Sequence, residues 1–423
     1  MNICIENKRK GVFTLKITVP FKALETTMQL VTSVTAGRMI TEELKNLIIV
    51  VRDNQIKFSA SARTLMSAFD IEADVQVEDI DVPTEDGSFI HVLRAKDINN
   101  VLNTFRGLTR TVATTVTFEI EENKATMIVH EEPASEDVDN ASKYVQDSRF
   151  IIGKPKRNKL IEREVQRFNT IPTDDQFTEI PFDNLDYYLT SLLPMVAKET
   201  REGVRDVTFG EELAYALVLT HVAITQNGLP EVFKGFSLQN TYLKFLQDFI
   251  GDNETFKVHK HVVGNGQVTL TFKVPSAVAI VDTGDLTRAR DMSSFCQLPP
   301  NYVEVDRFYL MDVLKRVALS SEATTVGVRI ADGFAQMRLQ TQTVEQEIPL
   351  FSCEGEGEYV FTLKPEIIDS MIMSHNDYAL ESVRVHLGFN ESGTITLGVT
   401  DEQGFWNTKM DNLSMSKAQI NFN

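Results

Sequence analysis

The sequence predicts an α+β chain of three similar domains, each with two helices packed on antiparallel sheets, and three observations predict it. A helix start recurs: Val19-Pro20-Phe21-Lys22-Ala23-Leu24 and Ile180-Pro181-Phe182-Asp183-Asn184-Leu185 place an apolar residue, Pro, Phe and Leu at one spacing, and Val305-Asp306-Arg307-Phe308-Tyr309-Leu310 opens a third without the proline. Each start leads into the same order of helix, strands, helix and strands, and such self-similarity is the signature of a repeated fold unit. The length of 423 residues exceeds one ordinary core and suits several domains. The boundaries fall at 1–178, with a linker or insertion at 131–175, then 179–301, then 302–423 with a C-terminal tail.

In the first repeat, Phe21, Leu24, Met28, Val31 and Val34 keep the three-and-four spacing of one helical face, and Pro20 suits a helix start. After Gly37, residues 47–51, 56–60 and 68–77 read as strands, with Asp53-Asn54 turning between the first two. A helix over 96–108 buries Ile98, Val101, Leu102 and Phe105, and 114–120 and 125–129 return to strand. The second repeat has Leu185, Leu189, Leu192, Leu193 and Val196 on a helix, strands over 205–225, a helix over 240–250 and strands to about 280. The third has Leu310, Val313, Leu314 and Val317 on a helix, strands at 325–330 and 335–341, a helix over 365–374 and strands to 410. Six helices with one apolar stripe each can cover one face of a continuous sheet. The segment 131–175 is the irregularity: acidic at first, basic at Lys154-Pro155-Lys156-Arg157-Asn158-Lys159, it reads as a solvated linker with one added strand around 144–152, or as a DNA or partner contact.

Composition is that of a folded globular protein, with 42% hydrophobic and 24% charged residues. No run approaches the roughly 18 apolar residues of a membrane span and the N-terminus lacks a signal core, so a cytoplasmic protein without membrane contact is expected. Cys4, Cys296 and Cys353 are far apart and read as idle thiols in a reducing compartment.

A net charge of -18 argues at first sight against a nucleic-acid partner. The distribution reverses that argument. Lys22 and Arg38 belong to the first helix and its exit, Lys96, Arg106 and Arg110 to the second, and Lys198, Arg201 and Arg205 to the exit of the third. Lys244 lies on the fourth and the pair Lys315-Arg316 on the fifth. The acids concentrate at 72–86, 131–139 and 354–358. Cationic helix faces recurring in a repeat, beneath an acidic exterior, fit sequence-independent contact with the phosphates of double-stranded DNA. No zinc-finger spacing or isolated recognition helix adds base reading.

Catalytic patterns are missing from the sequence, and no enzyme activity or cofactor is expected. His259 and His261 alternate on an expected strand with no cysteine or carboxylate beside them, His221 has no Ser or Cys elbow, and no Walker A motif occurs. Gly264-Asn265-Gly266 precedes a strand and reads as a hairpin turn, and Asp282, Asp285 and Asp291 read as turn residues.

Nearly the whole chain resembles the beta sliding clamp of bacterial replication. Gln29-Leu30-Val31-Thr32-Ser33-Val34 leading to Gly37-Arg38, then Leu47-Ile48-Ile49-Val50 and Lys57-Phe58-Ser59-Ala60, is similar to the family's first domain. Leu314-Lys315-Arg316-Val317-Ala318-Leu319-Ser320-Ser321-Glu322 with Val326-Gly327-Val328-Arg329-Ile330 resembles its helix-loop-strand signature in the third, and Val344-Glu345-Gln346-Glu347 resembles the acidic run that follows. The resemblance implies a DNA clamp fold that assembles into a closed ring, a homo-oligomer expected to be a dimer. It also implies Arg38 as a DNA-facing arginine, a DNA polymerase tethered to duplex DNA, and a clamp loader that opens the ring. A partner-peptide pocket between the second and third domains would involve Val218, Thr220, His221, Phe405, Trp406 and Met410. There the chain departs from the family: Leu217-Val218-Leu219-Thr220-His221-Val222-Ala223 replaces an Ala-Thr-Asp-Gly-His-Arg-Leu segment, and Phe405-Trp406-Asn407-Thr408-Lys409-Met410 replaces a Val-Met-Pro-Met end. Such departures fit a divergent member, such as one encoded by a phage. The other readings are a clamp-fold tether for transcription or repair proteins, separable by the partner peptide, and a structural assembly protein with no DNA role.

Overall fold

The computed structural model describes residues 14–35, 44–52, 55–62, 65–70, 74–78, 89–108, 111–134, 147–156, 159–168, 170–196, 206–218, 221–262, 267–283, 292, 299–318, 324–364, 382–389, 394–400, 406–414, 420 and 422. The first unit runs β1 (Thr14–Pro20), α1 (Phe21–Thr35), β2 (Asn46–Arg52), β3 (Gln55–Ser61), β4 (Leu65–Asp70), β5 (Asp74–Glu78), β6 (Phe89–Arg94), α2 (Ala95–Thr104), β7 (Thr111–Glu121), β8 (Ala125–Pro133) and β9 (Ser148–Ile152). A connector carrying α3 (Lys159–Phe168) leads to the second unit. That unit comprises β10 (Thr178–Pro181), α4 (Phe182–Val196), β11 (Asp206–Phe209), β12 (Leu213–Val218), β13 (His221–Gln226), β14 (Phe236–Gln239), α5 (Asn240–Ile250), β15 (Thr255–Val262), β16 (Val268–Val274) and β17 (Ala277–Asp282). The third is β18 (Asn301–Asp306), α6 (Arg307–Ala318), β19 (Thr324–Ala331), β20 (Phe334–Gln340), β21 (Glu345–Ile348), β22 (Leu350–Glu354), β23 (Gly357–Leu363), β24 (Ser382–Phe389), β25 (Thr394–Thr400) and β26 (Trp406–Ser414).

The helix starts obey local chemistry. Pro20 and Pro181 end the strands before α1 and α4, where a missing N–H and a fixed φ suit the entry to a helix. In the third unit Asp306 does this work instead: its Oδ1 accepts the Tyr309 backbone N–H at 2.6 Å, an N-cap bond. The apolar stripe of α1 is buried at Phe21, Leu24, Met28, Val31 and Val34, as its spacing predicts.

The expectation of one continuous sheet is corrected: the described strands form four sheets, ordered β5-β1-β7-β8-β9, β10-β15-β16-β17-β4-β3-β2-β6, β14-β11-β12-β13-β26-β25-β24-β18-β22 and β21-β20-β19-β23. Each unit contributes two half-sheets, and the units join through edges, β17 with β4 and β26 with β13, both antiparallel. One contiguous buried cluster runs through the first two units, from Leu15 to Val281, and a second fills the third. The stretch 68–77 is not a single strand but parts of β4 and β5, which pair in different sheets. The second helix stops at Thr104 instead of 108: Phe105 caps it, its backbone N–H donating to the Leu102 carbonyl at 3.1 Å, and Gly107 beyond the cap takes a φ of 77°, which a continuing helix does not allow. The expected helix over 365–374 lies outside the described residues.

The segment 131–175 carries the added strand as β9, and also a helix the sequence reading did not anticipate. α3 buries Ile161 and Val165 against Ile48 and Val92, on the face of the half-sheet away from α1. Its Glu164, 4% exposed, accepts the Ser61 hydroxyl at 2.8 Å, and Arg167 reaches Asp282 of the second unit at 2.8 Å. The connector is therefore a brace across the β17–β4 junction and not only a solvated linker.

Candidate nucleic-acid interface and partner pocket

Four helices lie side by side in the order α2, α1, α5, α4. Asn99 of α2 donates to the Thr32 hydroxyl of α1 at 2.6 Å, which fixes the first two against each other. Lys22 and Arg106 then converge on one carboxylate: Arg106 Nε donates to Glu25 Oε1 at 2.7 Å and Lys22 Nζ to Glu25 Oε2 at 3.3 Å. The Arg106 hydrogen bond, ahead of the contrary effect of burial and the smaller pull of Lys22, holds the Glu25 carboxyl below the usual carboxylate range. The Lys22 side chain stays 87% exposed and that of Arg106 49% exposed, so both can turn to a polyanion while Glu25 anchors them. Lys96 of α2 and Lys244 of α5 are exposed.

On α6, Lys315 lies 3.7 Å from the Asp312 carboxylate, while Arg316 donates to the Asp312 backbone carbonyl and flanks the Tyr309 ring at 6.0 Å. The helix faces are thus less positive than a count of cations implies, because Glu25 and Asp312 sit among them. Asp97, the one acid of the second helix, is occupied elsewhere: it accepts the Gly153 backbone N–H at 2.9 Å and holds the exit of β9. Arg38, Arg110, Lys198, Arg201 and Arg205 lie outside the described residues.

The backbone register brings the expected pocket strands together. β13 pairs with β26 through His221↔Met410, Val222↔Lys409 and Ala223↔Thr408, and Val218 stands opposite His221 across β12 and β13. Positions from the second and third units, separated by about half the chain, become neighbours on one sheet. Trp406 opens β26 opposite Thr400, whereas Thr220 and Phe405 lie outside the described residues. Beside this junction Tyr215, Val222, Ile224 and Met292 form a buried cluster with Leu213 and Leu217 packed on it. The sequence reading did not bring Leu213, Tyr215, Ile224 and Met292 to this junction, although the alternation of Leu213, Tyr215 and Leu217 with Ala214 and Ala216 signals a strand with apolar groups on both faces.

His259 and His261 do share a face of β15, and there they line a groove of about 580 Å³ with Arg167, Thr269 and Thr271. No group of three or more His, Cys, Asp or Glu side chains able to hold a metal occurs among the described residues, and no described helix is long and apolar enough to cross a membrane. The half-buried Cys353 thiol donates to the Gly333 carbonyl.

No protein-family model and no curated protein matches the sequence. Solved structures do match along nearly the whole chain. A DNA polymerase sliding clamp from Bacillus subtilis superimposes with a TM-score of 0.69 at 15% identity, covering 95% of this chain and 99% of that one. A DNA polymerase III beta subunit from Thermotoga maritima gives 0.67 at 13% identity, with 95% and 100% covered. The DNA polymerase III subunit beta from Pseudomonas aeruginosa gives 0.64 at 12% identity, with 95% and 100% covered. The chain therefore has the three-unit fold of the bacterial DNA polymerase III beta subunits, carried by a widely diverged sequence.

Proposed function

We propose that this protein is a DNA sliding clamp, a non-enzymatic ring of two copies joined head to tail that encircles duplex DNA and tethers a DNA polymerase. The fold shared with solved clamps supports this reading. The observation that carries it is an unfinished junction. The half-sheets β1-β7-β8-β9, β10-β15-β16-β17 and β18-β24-β25-β26 occupy equivalent positions in the three units, as do β6-β2-β3-β4, β14-β11-β12-β13 and β23-β19-β20-β21. The last strand of one half-sheet pairs with the last strand of the other at both internal junctions, β17 with β4 and β26 with β13. The remaining pair, β9 and β21, ends two separate sheets among the described strands.

An open edge is a template for another strand. A second copy placed head to tail brings its β21 to this β9 and its β9 to this β21, which completes six equivalent units and closes a ring. Charge agrees with the pairing: Arg149 on β9 is 62% exposed and Glu345 and Glu347 on β21 about half exposed. With helices α1, α2, α4, α5 and α6 lining the hole, Lys22, Lys96, Arg106, Lys244, Lys315 and Arg316 meet phosphates, together with Arg38, Arg110, Lys198, Arg201 and Arg205. Weak, sequence-independent contacts allow sliding, and closure of the ring prevents sideways escape. A separate loader opens the ring, and the junction holding Val218, Thr220, His221, Phe405, Trp406 and Met410 receives the polymerase peptide. The test is retention on DNA. Protein loaded on a nicked circle should stay through a high-salt wash and be lost on linearisation; equal loss from circle and linear DNA refutes topological binding.

A further inference from the structure

Beyond β26, two described residues lie against the third unit. Ile420 and Phe422, both nearly fully buried, form a small cluster with Val360 of β23. Val360 pairs directly with Gly327 of β19, and neighbours Val326, Val328, Tyr359 and Phe361 point the other way into the core. Ile420 and Phe422 therefore cover the face of β19 and β23 opposite that core. A glycine in mid-strand weakens a sheet and usually marks a close approach. That approach is visible here: a Cβ on Gly327 would stand 2.8 Å from Ile420 Cδ1 and 2.9 Å from Phe422 Cζ. Ile-Asn-Phe-Asn at 420–423 alternates apolar and polar residues, the pattern of an extended segment with one face down. From Ser414, where β26 ends, six residues reach Ile420, a span of at most about 20 Å.

We propose that the Gly327–Val360 notch is a peptide-docking site for an extended segment bearing an aliphatic and an aromatic side chain two residues apart, and that the chain's own tail occupies it in cis. A partner peptide of the same chemistry gains the site only when the tail leaves. The site uses different residues from the β13–β26 junction, and the inference does not rest on ring formation or DNA binding.

The test is fluorescence anisotropy with a dye-labelled peptide of residues 415–423, titrated into the chain ending at Ser414, into that shortened chain carrying Gly327→Val, and into the full chain. The shortened chain should bind it. Gly327→Val, which fills the notch while favouring the strand, should weaken binding by about tenfold or more. The full chain should also bind about tenfold more weakly for a Kd of about 0.1 mM, and more so for a tighter one, since its tethered tail competes at an effective concentration on the order of millimolar. No binding to a shortened chain that melts cooperatively, or equal binding to the Gly327→Val form, overturns the proposal. If the shortened chain does not fold, the full chain carrying Phe422→Ala replaces it and the same outcomes decide.

Discussion

Replacing Glu25 by Gln should weaken the fold and strengthen DNA binding at once, and this pairing of opposite effects tests the assignment of the helix faces. The carboxylate is 13% exposed and holds Arg106 at 2.7 Å and Lys22 at 3.3 Å. Opposite charges at 4 Å attract by about 1 kcal/mol in water and about 4 kcal/mol near a protein surface. Because Arg106 is half exposed and Lys22 largely exposed, solvent screening brings the net contribution to about 1 kcal/mol. Urea unfolding should show that loss at neutral pH. The Glu25 pKa is depressed in the folded state, so the pair's contribution is present above the ordinary carboxylate range and lost as pH falls through the lower folded value. The difference between wild type and variant should therefore shrink in acid.

The DNA effect has the opposite sign. If Lys22 and Arg106 face phosphates as proposed, removing one negative charge beside them should raise affinity for a short duplex, over whose ends the proposed ring can thread. It should also steepen the salt dependence by about one unit, an extra change of about threefold in affinity between about 50 and 200 mM salt. Anisotropy titrations at several salt concentrations measure both. A variant less stable by the expected amount but unchanged in affinity and salt slope would show that Lys22 and Arg106 do not face DNA.

Two further outcomes follow from the same structure. Ile151→Asp sets a carboxylate on the open β9 edge, where Ile151 is 78% exposed; it should raise the dimer dissociation constant by about tenfold or more in sedimentation equilibrium while the circular dichroism spectrum stays unchanged, and an unaltered constant counts against the β9–β21 seam. His386 is buried, with its ring hydrogen-bonded to the Thr400 hydroxyl and the Pro299 carbonyl, and burial lowers its pKa. The unfolded chain binds the proton first, so stability should fall as pH drops below about 6.5, by at most about 1.4 kcal/mol per unit, until the folded pKa is passed; His386→Gln should flatten that slope in thermal melts.

The sequence by itself determined the repeat and five of its helices, α1, α2, α4, α5 and α6. Their stripes obey a local period, so Leu24, Met28 and Val31 announce a buried face without reference to any distant residue. The strand runs of the third unit were equally legible, at 325–330 and 335–341 against β19 and β20. The cations were visible, and so was Glu25 three residues from Lys22; Arg106, which completes that site, arrives from 81 residues away. α3 escaped because its segment is rich in charge: only Ile161 and Val165 are apolar and buried, and its Glu164 is accommodated by Ser61 from another part of the chain. Tertiary structure alone decided which strand edges pair, placing Met410 beside His221 and leaving β9 and β21 open among the described strands. Strand pairing joins backbone groups that every residue carries, so its partners follow from the packing of whole units, which local periodicity does not encode.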